Sequence, residues 1–580
     1  MDQQTYNPSI RKKLSVTASA LFVMAAGFSS ASMAGTITYT NDSDFSQGNL
    51  NSVNYNAPNS NQLQINVSGD TFPVLWVPNT TENSMSRINT DGDAGRGCEE
   101  ARYFTSNSSR GYPSRTAVDV DGNIYVANRK FDGQTPELLK IVTEGGIDRN
   151  GNGVIDTSTD LNGDCRITPD EMLPIVDDGD GVLDIDDFTD ERVVWISQFG
   201  QPGQLGRSLC LDNNGFLWAG TYSGRQYYKF DTDGNIVAGP VDTFATNYGC
   251  AVDNDGILWG ASLGSTMVEL DTNTDTWTQN RALSSNYGIA IGNNRVYLGS
   301  ILQSFNPATE ANQVVASGGT GVAVDGDGFV WFGTPTLRKF ATDTNGDLNP
   351  TPVCSVSTQG VRGPIIGKGN RIWTINYTNN SVSQYDSDCN FISTVPVGRN
   401  PYTYSDATGF IARNFTDPTG IWTVVNDSGD TETEWDGVTW NTEPEGNVPA
   451  GASIEVRVRV ANSVADLPFA TFQPVVNGVN GMGLVGQFIE VRTIMRPNGA
   501  EESPILSDLN LLTIDEVLRC DLDESGEVNI NDIRLYSTHR NTPVAPDHPM
   551  DIDGNGVLNI NDGRKCALQC ANPSCAVSAL

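Results

Sequence analysis

Two twelve-residue stretches near the C-terminus, DLDESGEVNIND from Asp521 and DIDGNGVLNIND from Asp551, repeat one pattern of oxygen-bearing side chains. Positions 1, 3, 5, 9 and 12 are Asp521, Asp523, Ser525, Asn529 and Asp532 in the first, and Asp551, Asp553, Asn555, Asn559 and Asp562 in the second. Position 6 is Gly526 or Gly556, where a chain wrapping an ion must turn sharply, and position 7, Glu527 or Val557, offers its main-chain carbonyl. Calcium needs roughly six to eight hard oxygen ligands, and this spacing wraps them round one ion. Calcium is therefore the expected cofactor, with two acidic loops holding no ion as the alternative.

The same spacing recurs within 147–190. DLNGDCRITPDE places Asp160, Asn162, Asp164, Thr168 and a potentially bidentate Glu171 around one point, with the carbonyl of Arg166 at position 7 and Cys165 where glycine is usual. DRNGNGVIDTST supplies Asp148, Asn150, Asn152 and Asp156 but no carboxylate at position 12. VDDGDGVLDIDD has Asp178, Asp180, Asp184 and Asp187 but Val176 at position 1. One complete loop between two incomplete ones implies about one to three calcium ions; a solvated acidic excursion is the alternative.

These loops interrupt a repeat. TAVDVDGNIYVA from Thr116, SLCLDNNGFLWAG from Ser208, GCAVDNDGILWGA from Gly249, GIAIGNNRVYLGS from Gly288, GVAVDGDGFVWFG from Gly321 and GPIIGKGNRIWTI from Gly363 each put alternating apolar residues either side of a tight turn. That is a hairpin signal. Their aromatic markers, with Trp76 in a seventh copy, lie mostly about 40 residues apart, the period of four-stranded propeller blades. The expected fold is mainly β: a seven-bladed propeller over 71–409, with the acidic insertion in its second blade. The seventh copy, FPVLWVP from Phe72, lacks a first strand, which PYTYSDATG at 401–409 is expected to supply.

Loops entering the inner strands carry Arg110, Arg115, Arg207, Tyr248, Tyr287, Arg362, Arg399 and Tyr402 at nearly equivalent positions. Gathered at one mouth of a central channel, Arg115, Arg207, Tyr248, Tyr287, Arg362 and Arg399 would suit an anionic or sugar ligand, through charged hydrogen bonds and stacking. Packing of inter-blade turns is the alternative.

The flanks read differently. Residues 410–513 hold strands such as SIEVRVRV, in which Ile454, Val456, Val458 and Val460 alternate with Glu455, Arg457 and Arg459, giving one buried and one wet face as in a β-sandwich. Residues 35–70 hold short strands that either join that sandwich, making the propeller an insertion, or form a separate linker. Contacts of Leu63–Val67 with the later strands distinguish the two.

Residues 1–34, with Arg11, Lys12 and Lys13 before an apolar run and Ser32-Met33-Ala34 before Gly35, read as a secretory signal peptide. The expected location is thus extracellular or at a bacterial cell surface, with no membrane span in the mature chain. A net charge of −35 argues against nucleic acid as a partner. Of ten cysteines, Cys210 and Cys250 fall at apolar strand positions and read as small buried thiols. A bridge between Cys520 and one of Cys566, Cys570 or Cys575 is expected to tie the ends of the C-terminal region.

The DGxxW repeats resemble the streptogramin-lyase (virginiamycin B lyase) and NHL class of propellers. That lyase family uses histidines and a metal, whereas the only histidines here are His539 and His548, so its elimination chemistry is not carried over. The paired C-terminal loops resemble a type I dockerin. The resemblance implies a small α-helical calcium module at 514–580 whose Ile530-Asn531 and Ile560-Asn561 face a cohesin-like partner, or dock within the chain. Gly563 and three cysteines depart from the family's regular second helix. The leading reading is a secreted, non-catalytic calcium-binding protein for extracellular binding or assembly, with polysaccharide among its partners. The rivals are a lyase-like or lactonase-like enzyme and a structural cell-surface component.

Overall fold

The computed structural model describes residues 37–65, 71–180, 182–333, 335–358, 361–416, 418–498, 502–513, 529–538, 541–544, 550–552 and 556–567. The leader assigned to 1–34 lies outside them. Residues 36–514 form one compact unit, and 515–580 belong to another.

Each repeat folds as expected from its turn. In the hairpin around Asp325, the carboxylate accepts hydrogen bonds from the N–H groups of Asp327 (3.1 Å) and Phe329 (2.9 Å), which shapes the turn, and from Trp331 Nε1 (2.7 Å), which fixes the marker indole. Asp212 grips Trp218 (3.0 Å), and Asp253 grips Trp259 (2.7 Å), in the same way. In these copies one carboxylate serves the turn and the core anchor together, whereas the copies from Gly288 and Gly363 carry Gly292 and Gly367 at that position, and Trp373 Nε1 is buried without a partner.

Small antiparallel sheets follow one another along 74–104, 113–198, 206–242, 249–282, 286–317, 321–357 and 361–396. A sheet of this size cannot bury both faces alone, and each shares its core with the next. Ala117 and Tyr125 pack with Leu209 and Ala219, and Ala323 and Trp331 pack with Ile366 and Ile372. The last sheet returns to the first through Trp373, Ile365, Leu75 and Val77. The architecture is mainly β and propeller-like. Residues 401–407 run along the first sheet: Tyr402 N–H donates to Pro78 O (2.9 Å), and Trp76 N–H donates to Ala407 O (2.9 Å).

Beyond that strand the chain enters the axis. Ile411 and Phe415 pack between the inner strands, and the buried Asp406 carboxylate accepts from the N–H groups of Thr408, Gly409, Ile411 and Ala412. This plug occupies the end of the axis where the inner strands finish.

The flanking strands form two sheets and a smaller one around Trp422, Trp435, Val456, Val458, Ile489 and Val491. Ile37–Tyr39 pairs with Leu509–Thr513, Asn49–Asn51 with Gly420–Asp427, and Leu63–Ile65 with Ile505–Leu506. The polar side of Ser453–Ala461 is not simply wet. Arg459 is buried between Glu490 and Phe472 and also meets Glu144 (3.0 Å), while Arg457 and Arg492 share Asp121. Ion pairing lets these arginines cover a protein contact that alternation alone assigns to water.

Cysteine pairing corrects one expectation. Cys210 and Cys250 form a disulfide between neighbouring inner strands, rather than remaining thiols. Cys210 precedes its turn residue Asp212 by two positions and Cys250 precedes Asp253 by three, so the two are at successive rather than equivalent repeat positions, and the packing of the neighbouring inner strands brings their sulfurs into bonding range. Cys354 bonds Cys389, and Cys98 bonds Cys165.

In the C-terminal unit, helices Ile530–Thr538 and Ile560–Ala567 pack through Tyr536 and Cys566, and Cys566 is disulfide-bonded. Gly563 is explained here, because a Cβ on it would lie 3.1 Å from Tyr536 Cβ. No helix among the described residues is long and apolar enough to cross a membrane.

Candidate functional sites

The acidic insertion leaves the second sheet between strands Glu137–Ile141 and Val193–Gln198. Its loops share one hydrogen-bond frame. In the loop from Asp160, Glu171 accepts from Leu161 N–H (3.1 Å) and Thr168 N–H (2.8 Å), while the N–H at position 6 donates to Asp160 Oδ2 (2.8 Å). Those donors, the Thr168 N–H and hydroxyl first, hold the Glu171 carboxyl below its ordinary range. Position 6 requires a left-handed backbone: Cys165 takes φ +62°, where Gly153 and Gly556 take +81° and +77° in their loops. Cys165 accepts that conformation while its sulfur ties the loop to Cys98 on the first sheet.

The loop from Asp148 is completed by a residue that reading the spacing alone missed. Glu191, 1% exposed, accepts from Arg149 N–H (2.8 Å) and Asp156 N–H (2.8 Å), the same two loop positions that Glu171 caps in its own loop. Asn150 and Asn152 both reach Asp156 Oδ2 (2.7 and 2.8 Å), so positions 3, 5 and 9 converge. No local pattern points to Glu191, because the chain travels through two further loops before returning. In the third loop Asp187 accepts from Asp178 N–H (3.0 Å) and Asp184 N–H (3.2 Å). Asp177 Oδ1 accepts from Gly179 N–H (2.7 Å), the bond made by the position-1 carboxylate elsewhere, which Val176 cannot make.

The C-terminal loops show matching fragments of the frame. Asn529 N–H donates to Asp532 Oδ2 and Asn559 N–H to Asp562 Oδ2, both at 2.8 Å, and Gly556 N–H donates to Asp551 Oδ2 (2.6 Å). Burial first, then the carboxylates of Asp562 and Asp532, push the Tyr536 phenol up, as expected where both loop ends meet one ring. Asp521, Asp523, Ser525, Glu527, Asp553 and Asn555 lie outside the described residues, as do His539 and His548. Tested against calcium, these donor sets fit: all are hard oxygens, with a carboxylate fixed by backbone donors at the last position.

A second cluster lies around the other end of the axis. Arg115, 1% exposed, donates from Nε to the carbonyls of Arg207 and Tyr248 (both 2.8 Å) and from Nη2 to Tyr248 O (2.6 Å) and the Tyr404 hydroxyl. Its Nη1 is buried with no hydrogen-bond partner, and so is Arg362 Nε. Arg207 stands over Tyr248 (4.3 Å to the centroid) and Arg362 over Tyr377 (4.7 Å). Tyr402 sits among them, its hydroxyl 2.8 Å from that of Tyr248 and also bonded to that of Tyr287. Burial pushes the Tyr402 phenol up, but the charges of Arg115 and Arg207 pull it further down, to about 7. Tyr248, Tyr287 and Tyr404 are all pushed up by burial, so they remain protonated donors.

Of the residues singled out from sequence, Arg115, Arg207, Tyr248, Tyr287, Arg362 and Tyr402 come together. Arg399 does not: it is exposed and lies 3.9 Å from Glu82. Arg110 instead stacks over Tyr112 and Phe131. Arg129, Tyr222 and Tyr377 were missed. Each directly follows the second strand of its sheet, a repeat position as legible as the one before the first strand.

No family model matches the chain, and no curated protein matches it. Among solved structures it is similar to virginiamycin B lyase from Staphylococcus aureus, at 13% identity and a TM-score of 0.33, over 49% of this chain and 84% of that one. A protein from Lactobacillus plantarum is similar at 11% identity and 0.41, over 57% and 98%, and a functionally unknown protein from Desulfotomaculum acetoxidans at 12% and 0.39, over 57% and 99%. Likenesses of this size carry no argument about activity, and the propeller-like description stands on the sheets themselves.

Proposed function

We propose that the chain is an exported, calcium-stabilised binding scaffold: a seven-bladed propeller inserted into a β-sandwich, followed by a dockerin-like module for attachment or assembly. The observation that carries the reading is the recurrence of one backbone-to-carboxylate frame in the loops at 148–156, 160–171 and 176–187 and, as fragments, in both C-terminal loops. Bound calcium would neutralise converging carboxylates and join chain segments remote in sequence, most plainly Asp148 with Glu191. The scaffold's partners would be extracellular: a cohesin-like domain or the chain itself for the C-terminal module, and a glycan for the propeller.

Calcium calorimetry on the mature chain tests this. Glu171→Gln and Glu191→Gln are each expected to remove one site of the wild-type stoichiometry, and the double variant two. Unchanged stoichiometry in Glu191→Gln would show that the first loop does not use this carboxylate, and absence of calcium binding altogether would sink the calcium part of the scaffold reading.

A further inference from the structure

Four guanidinium groups, those of Arg115, Arg129, Arg207 and Arg362, gather round Tyr402 and its neighbouring phenols, and none makes an ion pair with a carboxylate among the described residues. This happens in a chain of net charge −35, where carboxylates are abundant. Arg115, Arg129 and Arg207 are all at least nine-tenths buried. Withdrawing cations from water without a counter-charge is costly, and the usual remedy is an anion held by directed hydrogen bonds. Arg115 Nη1 and Arg362 Nε keep such bonds unmade. Burial and the charge of Arg207 lower even Arg129, to about 10, as expected of like charges held together.

The surroundings narrow the class of anion. Tyr222, Tyr287 and Tyr377 are half-buried and offer aromatic faces at the rim, while the plug at 406–416 fills the opposite end of the axis. A ligand approaching this cluster would meet the half-buried tyrosines before the more deeply buried guanidiniums of Arg115, Arg129 and Arg207. Flat or ring-shaped bodies bearing a carboxylate match that order, through stacking on tyrosine and forked bonds to arginine. Within the binding-scaffold reading, which this deepens, we propose that this cluster binds an acidic saccharide, with the uronate carboxylate taken by Arg362 and Arg207.

Proton uptake follows from charge balance. Among the described residues, the phenol facing the four guanidiniums that, against burial, the charges of Arg115 and Arg207 pull towards ionisation is that of Tyr402, to which Tyr248 and Tyr287 can donate. Those charges hold the phenol well below its ordinary range, to about 7. An incoming carboxylate would replace the phenolate as counter-charge, so binding is expected to be accompanied by proton uptake. As the carboxylate remains ionised, binding weakens as pH rises and the phenolate competes more strongly.

Isothermal titration calorimetry on the full chain in calcium, repeated in buffers of different ionisation enthalpy, tests the proposal. A galacturonate trisaccharide is expected to bind at least about tenfold more tightly than the neutral galactose trisaccharide, with proton uptake. Arg362→Ala, at the rim, is expected to cost about tenfold or more in affinity while leaving the thermal unfolding midpoint in place. Free galacturonate matching the trisaccharide would support a site for one ring, and a tighter trisaccharide a polymer-binding one. Equal affinity for the neutral sugar, or sulfate binding as tightly as the acidic sugar, would overturn the proposal. Loss of calcium binding with intact sugar binding would instead sink only the calcium part of the scaffold reading.

Discussion

Chelating calcium from the full chain is expected to unfold the C-terminal helices Ile530–Thr538 and Ile560–Ala567 while the sheets over 74–396 persist. Among the described residues, the two helices share a very small apolar core, chiefly Tyr536 and Cys566 with Ile533, Met550 and Ile552 beside them. A core of this size cannot offset the entropy of ordering the loops. Ligand binding at 100 times its Kd contributes about 2.7 kcal/mol per site, so two loops account for about 5 kcal/mol, a large share of a small module's stability. Hydrogen exchange with and without chelator reads this directly, through amide protection in the two helices. Protection that survives chelation would show that calcium does not hold the module.

Asp325→Ala is expected to destabilise the propeller-like region by about 3 kcal/mol, because it leaves the N–H groups of Asp327 and Phe329 and the buried Trp331 indole without their acceptor. Burial pushes the Asp325 carboxyl up, and the Trp331 bond opposes that shift, so the carboxylate is retained for the donors it serves. Asp343 supplies the comparison. It caps a similar turn through the N–H groups of Asn345 (2.8 Å) and Asp347 (2.9 Å), but it is exposed and grips no indole. Asp343→Ala is expected to leave the urea midpoint nearly unchanged, since water replaces the lost acceptor. Equal losses in the two variants would remove the indole bond from the account.

The hairpins were legible because their signal is local: Asp, turn and Trp sit within seven residues, and one carboxylate serves both turn and core. The same locality made the loop from Asp160 readable, with its Glu171 in register. Glu191 was not, since its contribution depends on how a long excursion returns, which spacing does not encode. Cys210 and Cys250 illustrate a different limit. Their apolar setting was read correctly, but whether two buried sulfurs bond is decided by the packing of neighbouring sheets. Arg459 misled for a third reason, as an ion-paired arginine under a protein contact has the same sequence pattern as one facing water.

The pairing of Ile37–Tyr39 with Leu509–Thr513 has a consequence for how the molecule is made. Thr38 and its hydrogen-bonding partner Asn510 are 472 residues apart, so during synthesis the earliest strands must wait, edges bare, until nearly all that intervenes has emerged. Assembly of this layer is a late, high-contact-order event. An interval of that kind, spent by unpaired strands outside any sheet, is where a chaperone would have its work.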